Sequence, residues 1–131
     1  MSRVDDLRRR VAREGRAVPE DLDEIDDILD AEGPTVDLLV LRGQLIQLAA
    51  FDDPEAQDEA LSCYQEAIEL DPHSASAHEE LGHFLDDVAD EPAEAARFFR
   101  KAIELGAGKT AEEGLLAAEA QLAEDEAPPL S

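Results

Sequence analysis

One stretch of this chain occurs twice. Glu59-Ala60-Leu61-Ser62-Cys63-Tyr64-Gln65-Glu66-Ala67-Ile68-Glu69-Leu70 aligns without a gap on Glu94-Ala95-Ala96-Arg97-Phe98-Phe99-Arg100-Lys101-Ala102-Ile103-Glu104-Leu105, at an offset of 35 residues. A period in this range is the mark of a supersecondary unit stacked on copies of itself. Within each copy the matched small, aromatic and small residues (Ala60, Tyr64, Ala67; Ala95, Phe99, Ala102) recur at steps of four and three, the spacing of one helix face. Upstream, Arg42-Gly43 corresponds to Leu81-Gly82 at an offset of 39, because the first copy has extra residues around Phe51-Asp52-Asp53. The repeated object is a helical hairpin. The first hairpin is expected to be longer by about one turn.

Punctuation divides the rest of the chain into helical segments. A segment from about Val4 to Glu14 stops at Gly15, and a second begins at Pro19, where a first helical residue needs no N–H, and ends at Gly33-Pro34. Thr35 is expected to cap a third helix running to about Ala50, and Asp53-Pro54 to open a fourth running to Leu70. Ser74 caps a fifth to about Ala89, a sixth spans about Glu91 to Leu105, and Thr110 caps a seventh ending near Glu124. The third has 10 apolar residues among 15 and almost no polar face, so it must be covered on two sides. Val, Ile and Thr together number 13 against 22 Ala and 17 Leu, which favours helix over sheet.

The two hairpins resemble the tetratricopeptide repeat. The first reads Leu39-x2-Arg42-Gly43-x2-Ile46, then Ala60-x3-Tyr64-x2-Ala67-x4-Pro72; the second reads His78-x2-Leu81-Gly82-x2-Leu85, then Ala95-x3-Phe99-x2-Ala102. Neither has the large aromatic at the first position, Arg42 replaces a Leu, and Ala107 stands where the closing Pro would be. The resemblance implies an all-α, short right-handed α-solenoid of antiparallel hairpins with about seven helices. Residues 1–34 are then a divergent capping hairpin with a basic first helix, 35–72 and 73–107 the two repeats, 108–124 a C-terminal capping helix and 125–131 a disordered tail. In the capping helix Leu115, Leu116, Ala120 and Leu122 are expected to face inward. The repeat-packing positions are Gly43, Ala60, Tyr64, Ala67, Gly82, Ala95, Phe99 and Ala102, where helices approach too closely for large side chains and the two rings fill the space between them.

Charge narrows the function. The chain carries 34 acidic and 11 basic side chains, a formal charge of −23, which repels nucleic acid and anionic membranes at long range. No apolar run reaches the length of a membrane span, the N-terminus has no apolar leader, and the single Cys63 excludes an internal disulfide. These features read as a cytoplasmic protein. The positive charge is concentrated at one end: six Arg against three acids through Arg16, leaving five basic and 31 acidic residues beyond it. Local pairing of Asp5 with Arg8 and Arg9, Asp6 with Arg9 and Arg10, and Arg10 with Glu14 answers part of this cluster. Arg3, Arg13 and Arg16 have no local acid, so the helix is expected to lie on acidic surface, either the following helix or a second molecule in a homodimer.

In the tetratricopeptide family the concave groove is lined by the first helix of each hairpin and receives a protein segment. By position the partner-binding lining here is Asp37, Val40, Gln44 and Gln47, then Ser76, Glu79, His83 and Asp86. None is the Lys, Arg or Asn that grips a C-terminal carboxylate, so a basic or amphipathic partner segment is expected. Solvation alone explains such acids equally well. Glu79, His83 and Asp86 or Asp87 share a helix face at metal-ligand spacing, but no second helix names a donor, and no metal or other cofactor is expected. His78 takes the place of the packing aromatic, His73 sits in a turn, and Cys63 reads as a small buried residue. With no nucleophile arrangement and no phosphate-binding loop, the chain reads as a non-enzymatic interaction module. The alternatives are a small chaperone or adaptor for a secreted or assembling partner, and a regulatory or divalent-metal-binding subunit of an enzyme.

Overall fold

A computed structural model describes residues 2–126, which form seven helices and no strand. They fall into two compact units meeting in sequence at Pro72 and His73. Residues 127–131, most of the expected tail, lie outside the described residues.

The first unit holds α1 (Arg3–Glu14), α2 (Pro19–Glu32), α3 (Val36–Ala49) and α4 (Pro54–Leu70). Each start has a local cause. The Ser2 hydroxyl accepts the Asp5 N–H at 3.1 Å, Thr35 accepts from Leu38 at 3.2 Å and Asp53 accepts from Glu55 at 3.0 Å. Before α2 the cap position is Val18, which has no acceptor, so Asp21 in the first turn reaches back and accepts the Val18 N–H at 2.9 Å. Gly15 ends α1 at φ 68°, a conformation that favours glycine.

The core of this unit joins Leu7 and Val11 of α1, Ile25 and Ile28 of α2, and Leu38, Leu41 and Leu45 of α3. The apolar α3 packs on α2 on one side and α4 on the other, the two-sided cover that its composition requires. Against α4 the contact is close: a Cβ built on Gly43 would lie 2.6 Å from Cε1 of Tyr64, whose ring is fully buried. At 17 residues, α4 is one turn longer than α6 with its 13. The α3–α4 turn is tied by Gln57, whose Nε2 donates to the Ala50 carbonyl at 3.1 Å.

The second unit holds α5 (Ala75–Asp87), α6 (Pro92–Glu104) and α7 (Lys109–Glu126). Ser74 caps α5 as its sequence suggests, accepting from Ala77 at 3.2 Å. That helix ends at Asp87, two residues before the expected Ala89, and Asp90 turns the chain at φ 52°. Phe99 of α6 is fully buried between two glycines. A Cβ on Gly82 of α5 would lie 2.9 Å from its Cδ1, and one on Gly114 of α7 would lie 2.5 Å from its Cζ.

Two expectations for α7 are corrected. Its inward face is Ala111, Gly114 and Ala118, with both alanines fully buried, whereas Leu116 is 67 % exposed and Ala120 is exposed. Leu115 and Leu122 are half-buried at the edge. The smallest residues face inward because Phe99 leaves no room for larger ones. Nor is Thr110 the cap: the helix begins at Lys109, and the Thr110 hydroxyl reaches Glu79 instead.

Candidate partner-binding faces

The residues expected to line a binding surface lie on two helices, one in each unit. On α3, Asp37 is exposed, while Gln44 and Gln47 are half-buried. The Gln47 carboxamide oxygen accepts the Tyr64 hydroxyl proton, so this side chain is held by the ring that fills the hairpin. Val40 is only 8 % exposed and belongs with the buried residues. This corrects its place in a solvent-facing lining: on a helix apolar nearly all round, Val40 lies beside the core positions Leu39 and Leu41.

On α5, Ser76 is exposed and Glu79, His83 and Asp86 are half-buried along one side. His83 Nε2 lies 3.3 Å from Glu79 Oε2, and the imidazole edge meets the Phe99 ring at 4.8 Å between centroids. Thr110 of α7 donates to the same carboxylate oxygen. Glu79 is thus oriented by two neighbours. Sequence reasoning missed Thr110 because it read as a helix cap. Burial, with Asp87 and Asp90 nearby, raises the Asp86 carboxyl above the usual carboxylate range, against a smaller opposing effect of His83. Among the described residues, no group of three or more His, Cys, Asp and Glu side chains is arranged to hold a metal ion. His78 is 6 % exposed and stacks on Phe98 at 5.9 Å, the packing role expected of it.

A second cluster lies on the other side of α3. Arg42 donates to Asp26 of α2 at 2.8 Å and to the Cys63 sulfur of α4 at 3.1 Å, with Glu59 at 3.6 Å. It stands in an open hollow of about 490 Å³ walled by Asp26, Asp30, Glu59 and Glu66. Burial pushes the Cys63 thiol up, outweighing Arg42, so it stays protonated near neutral pH.

The basic first helix lies on α2 of its own hairpin. Arg3 Nε donates to Glu24 at 3.1 Å, and Arg10 bonds Asp21, a carboxylate that is 1 % exposed. Arg3, which has no local acid, thus finds its partner on the following helix as expected, and one expectation changes: Arg10 turns to Asp21 rather than to Asp6 or Glu14. Asp21 already accepts from Val18, so Arg10 meets a carboxylate that is fixed in place.

Residues 55–85, from α4 into α5, match the family model for the TPR repeat. Over the whole fold, the chain is similar to the Sgt2 TPR domain from Aspergillus fumigatus, with a TM-score of 0.78 and 20 % identity over 97 % of this chain and 83 % of that one. This is a tetratricopeptide-repeat fold. In TPR terms, α3–α4 and α5–α6 are the hairpins, and Gly43 with Tyr64 and Gly82 with Phe99 are their small and aromatic positions. No curated protein matches the chain. No helix of the described residues is long and apolar enough to cross a membrane.

Proposed function

We propose that the chain is a non-enzymatic protein-interaction module, and that acidic faces on α3 and α5 each receive a basic or amphipathic segment of a partner protein. The observation that carries this is the state of Glu79 and Asp86. Both are half-buried carboxylates on one side of α5, and Glu79 is held in position by His83 and Thr110. Oriented, partly desolvated carboxylates attract a cationic side chain more strongly than freely solvated ones. The expected sets contain no Lys or Arg to compete for them. On the α3 face, Gln44 and Gln47 add neutral hydrogen-bonding capacity. We place this activity in the cytoplasm, in an adaptor or small-chaperone role. The reduced Cys63 thiol, buried against Arg42, suits a reducing compartment.

The test is fluorescence anisotropy with a labelled helical peptide of Lys and Leu, using the full chain and its Glu79→Lys/Asp86→Lys variant. The variant is expected to lose about tenfold or more in affinity, with an unchanged far-UV circular dichroism spectrum. Equal affinity for both proteins refutes the α5 face as the binding surface.

A further inference from the structure

Beyond Arg16 the chain has five basic residues, and three of them, Arg97, Arg100 and Lys101, fall within five positions of α6; none occurs from Gly43 to Ala96. With Glu104 they stand at i, i+3, i+4 and i+7, which is one face of a helix, and all four are exposed. The same four line an open hollow of about 350 Å³ together with Phe98 and His78. The buried His78 and the half-buried Phe98, stacked at 5.9 Å, form its aromatic base, and the exposed ions form its rim.

The three cations are engaged to different degrees. Arg97 Nη1 donates to both oxygens of Glu94, at 2.8 and 2.9 Å, and its guanidinium carbon lies 6.0 Å from the centre of the Phe98 ring. Arg100 stands 3.6 Å from Glu119 and Lys101 stands 3.7 Å from Glu104, both beyond hydrogen-bond reach. Exposed pairs of this kind hold about 0–1 kcal/mol. An incoming carboxylate therefore meets the Arg100 fork and the Lys101 ammonium without having to break a hydrogen bond of either.

We propose that this hollow is a second interaction surface, which takes a short acidic segment of another protein carrying an apolar or aromatic side chain. The side chain covers Phe98, and flanking carboxylates reach Arg100 and Lys101. Arginine suits this because its planar fork binds a carboxylate through two parallel hydrogen bonds. Covering the ring also excludes water beside the charges and strengthens their attraction. The three cations face three acids, Glu94, Glu104 and Glu119, so the patch is locally neutral on a body of formal charge −23. A short acidic segment is not repelled there as it is by the acidic body. A second copy would bring up another −23, and a duplex or an anionic lipid surface would extend past one helix face onto that body, so the charge distribution favours a peptide over all three. The proposal does not depend on the acidic faces of α3 and α5, and its ligand has the opposite charge.

The test is anisotropy with the full chain and a labelled peptide of Glu with one central Phe and blocked ends. Physiological salt, with a Debye length of about 8 Å, screens the distant acids and leaves contacts within the hollow. Arg100→Ala/Lys101→Ala is expected to lose about tenfold in affinity. Arg8→Ala/Arg13→Ala, which removes the same charge from exposed positions of α1, is expected to bind as the wild type does. Replacing the peptide's Phe by Ala is expected to weaken binding several-fold. Circular dichroism checks that both variants are folded. Equal losses in the two variants would reduce the effect to net charge and overturn the proposal, as would no binding by the wild type up to about 1 mM. Equal affinity for the Phe and Ala peptides would refute the aromatic base as the anchor. A dimer mass in light scattering that falls to monomer only in the α6 variant would overturn the proposal by giving the face to a second copy, and tighter binding of anionic phospholipid vesicles or duplex DNA than of the peptide would overturn it as well. The α6 variant keeps Glu79 and Asp86, so the basic-peptide assay above can fail or succeed separately.

Discussion

Replacing Gly114 by Ala tests the packing of the second unit most directly. Gly114 lies inside α7, where Ala normally gains about 1 kcal/mol over Gly in helix propensity. Here the new methyl would lie 2.5 Å from Cζ and 2.6 Å from Cε1 of Phe99, well inside van der Waals contact. The ring cannot simply withdraw: it is fully buried, Gly82 of α5 is the close neighbour on its Cδ1 and Cε1 edge, and the imidazole of His83 meets it at 4.8 Å. Overpacking of this kind costs about 1–3 kcal/mol. Setting it against the propensity gain leaves Gly114→Ala destabilising by about 1 kcal/mol, measured as a lower urea midpoint at unchanged m-value. The Gly82→Ala/Gly114→Ala double variant blocks the ring at both glycines. It should cost more than the sum of the singles, by about 1 kcal/mol. Phe99→Leu opens a cavity in the wild type but should cost less in the Gly114→Ala background, where the methyl occupies part of the vacated space. A Gly114→Ala protein stabilised by the full propensity gain, with effects additive to Gly82→Ala, would refute the ring's confinement between the two helices.

Four further outcomes follow from the same structure. Burial pushes the Asp21 carboxyl up, but the Val18 N–H and Arg10 together outweigh it and hold the group below its usual range. Its stabilising contribution is therefore complete above about pH 4 and is lost as pH falls through the depressed value; Asp21→Ala should cost about 1–2 kcal/mol at pH 7 and flatten that acid limb in thermal melts. Arg42→Leu introduces the residue of the repeat pattern but leaves Asp26, Asp30, Glu59 and Glu66 around the hollow without a cation, and should destabilise by about 1–2 kcal/mol, less at high salt, in urea titrations. Cys63 should react with a thiol reagent only at the rate of opening, with full labelling in urea. On α7, Leu116→Ser should change stability by less than about 0.5 kcal/mol while Ala118→Leu costs about 1–3 kcal/mol, and the reverse order would invalidate the helix's orientation.

The hairpins were readable in the sequence because each pairs a glycine on one helix with an aromatic on the next, and the repeat shows both pairs at matching positions. Gly114 closes on Phe99 just as tightly, yet no signal identified it. It lies on a helix with no second half to align against, in a segment where nearly every non-acidic residue is Ala, Leu or Gly. Hydrophobicity alone favoured Leu116 and Ala120 as inward residues, but a bulky ring opposite selects for the smallest side chain. The capping signals at Thr35, Asp53 and Ser74 were correct because each stands directly before a helical segment. Thr110 carries the same chemistry two residues too late, inside the first turn, and serves Glu79 instead. The residues proposed for partner binding could be placed on their helices from the sequence, but their environments could not: nothing local to Val40 reveals its burial, and nothing local to Arg42 reveals its bond to Cys63. The acidic partner of Arg10 was hidden for a related reason. Asp21 is 11 residues away and was free to accept it only because Val18 lacks a capping oxygen and had already drawn that carboxylate inward.

The confinement of Phe99 by α7 also bears on how the chain is made. Synthesis delivers α5 and α6 first, with Gly82 already in place against the ring, but the face that Gly114 covers stays wet until α7 emerges. In the first unit Tyr64 is met by Gly43 within α3 and α4, so its ring is covered before α7 is made. A ribosome paused before Lys109 would therefore hold a finished first half beside a hairpin with an uncovered aromatic. The helix that follows the hairpin out of the ribosome is the one that seals the second unit.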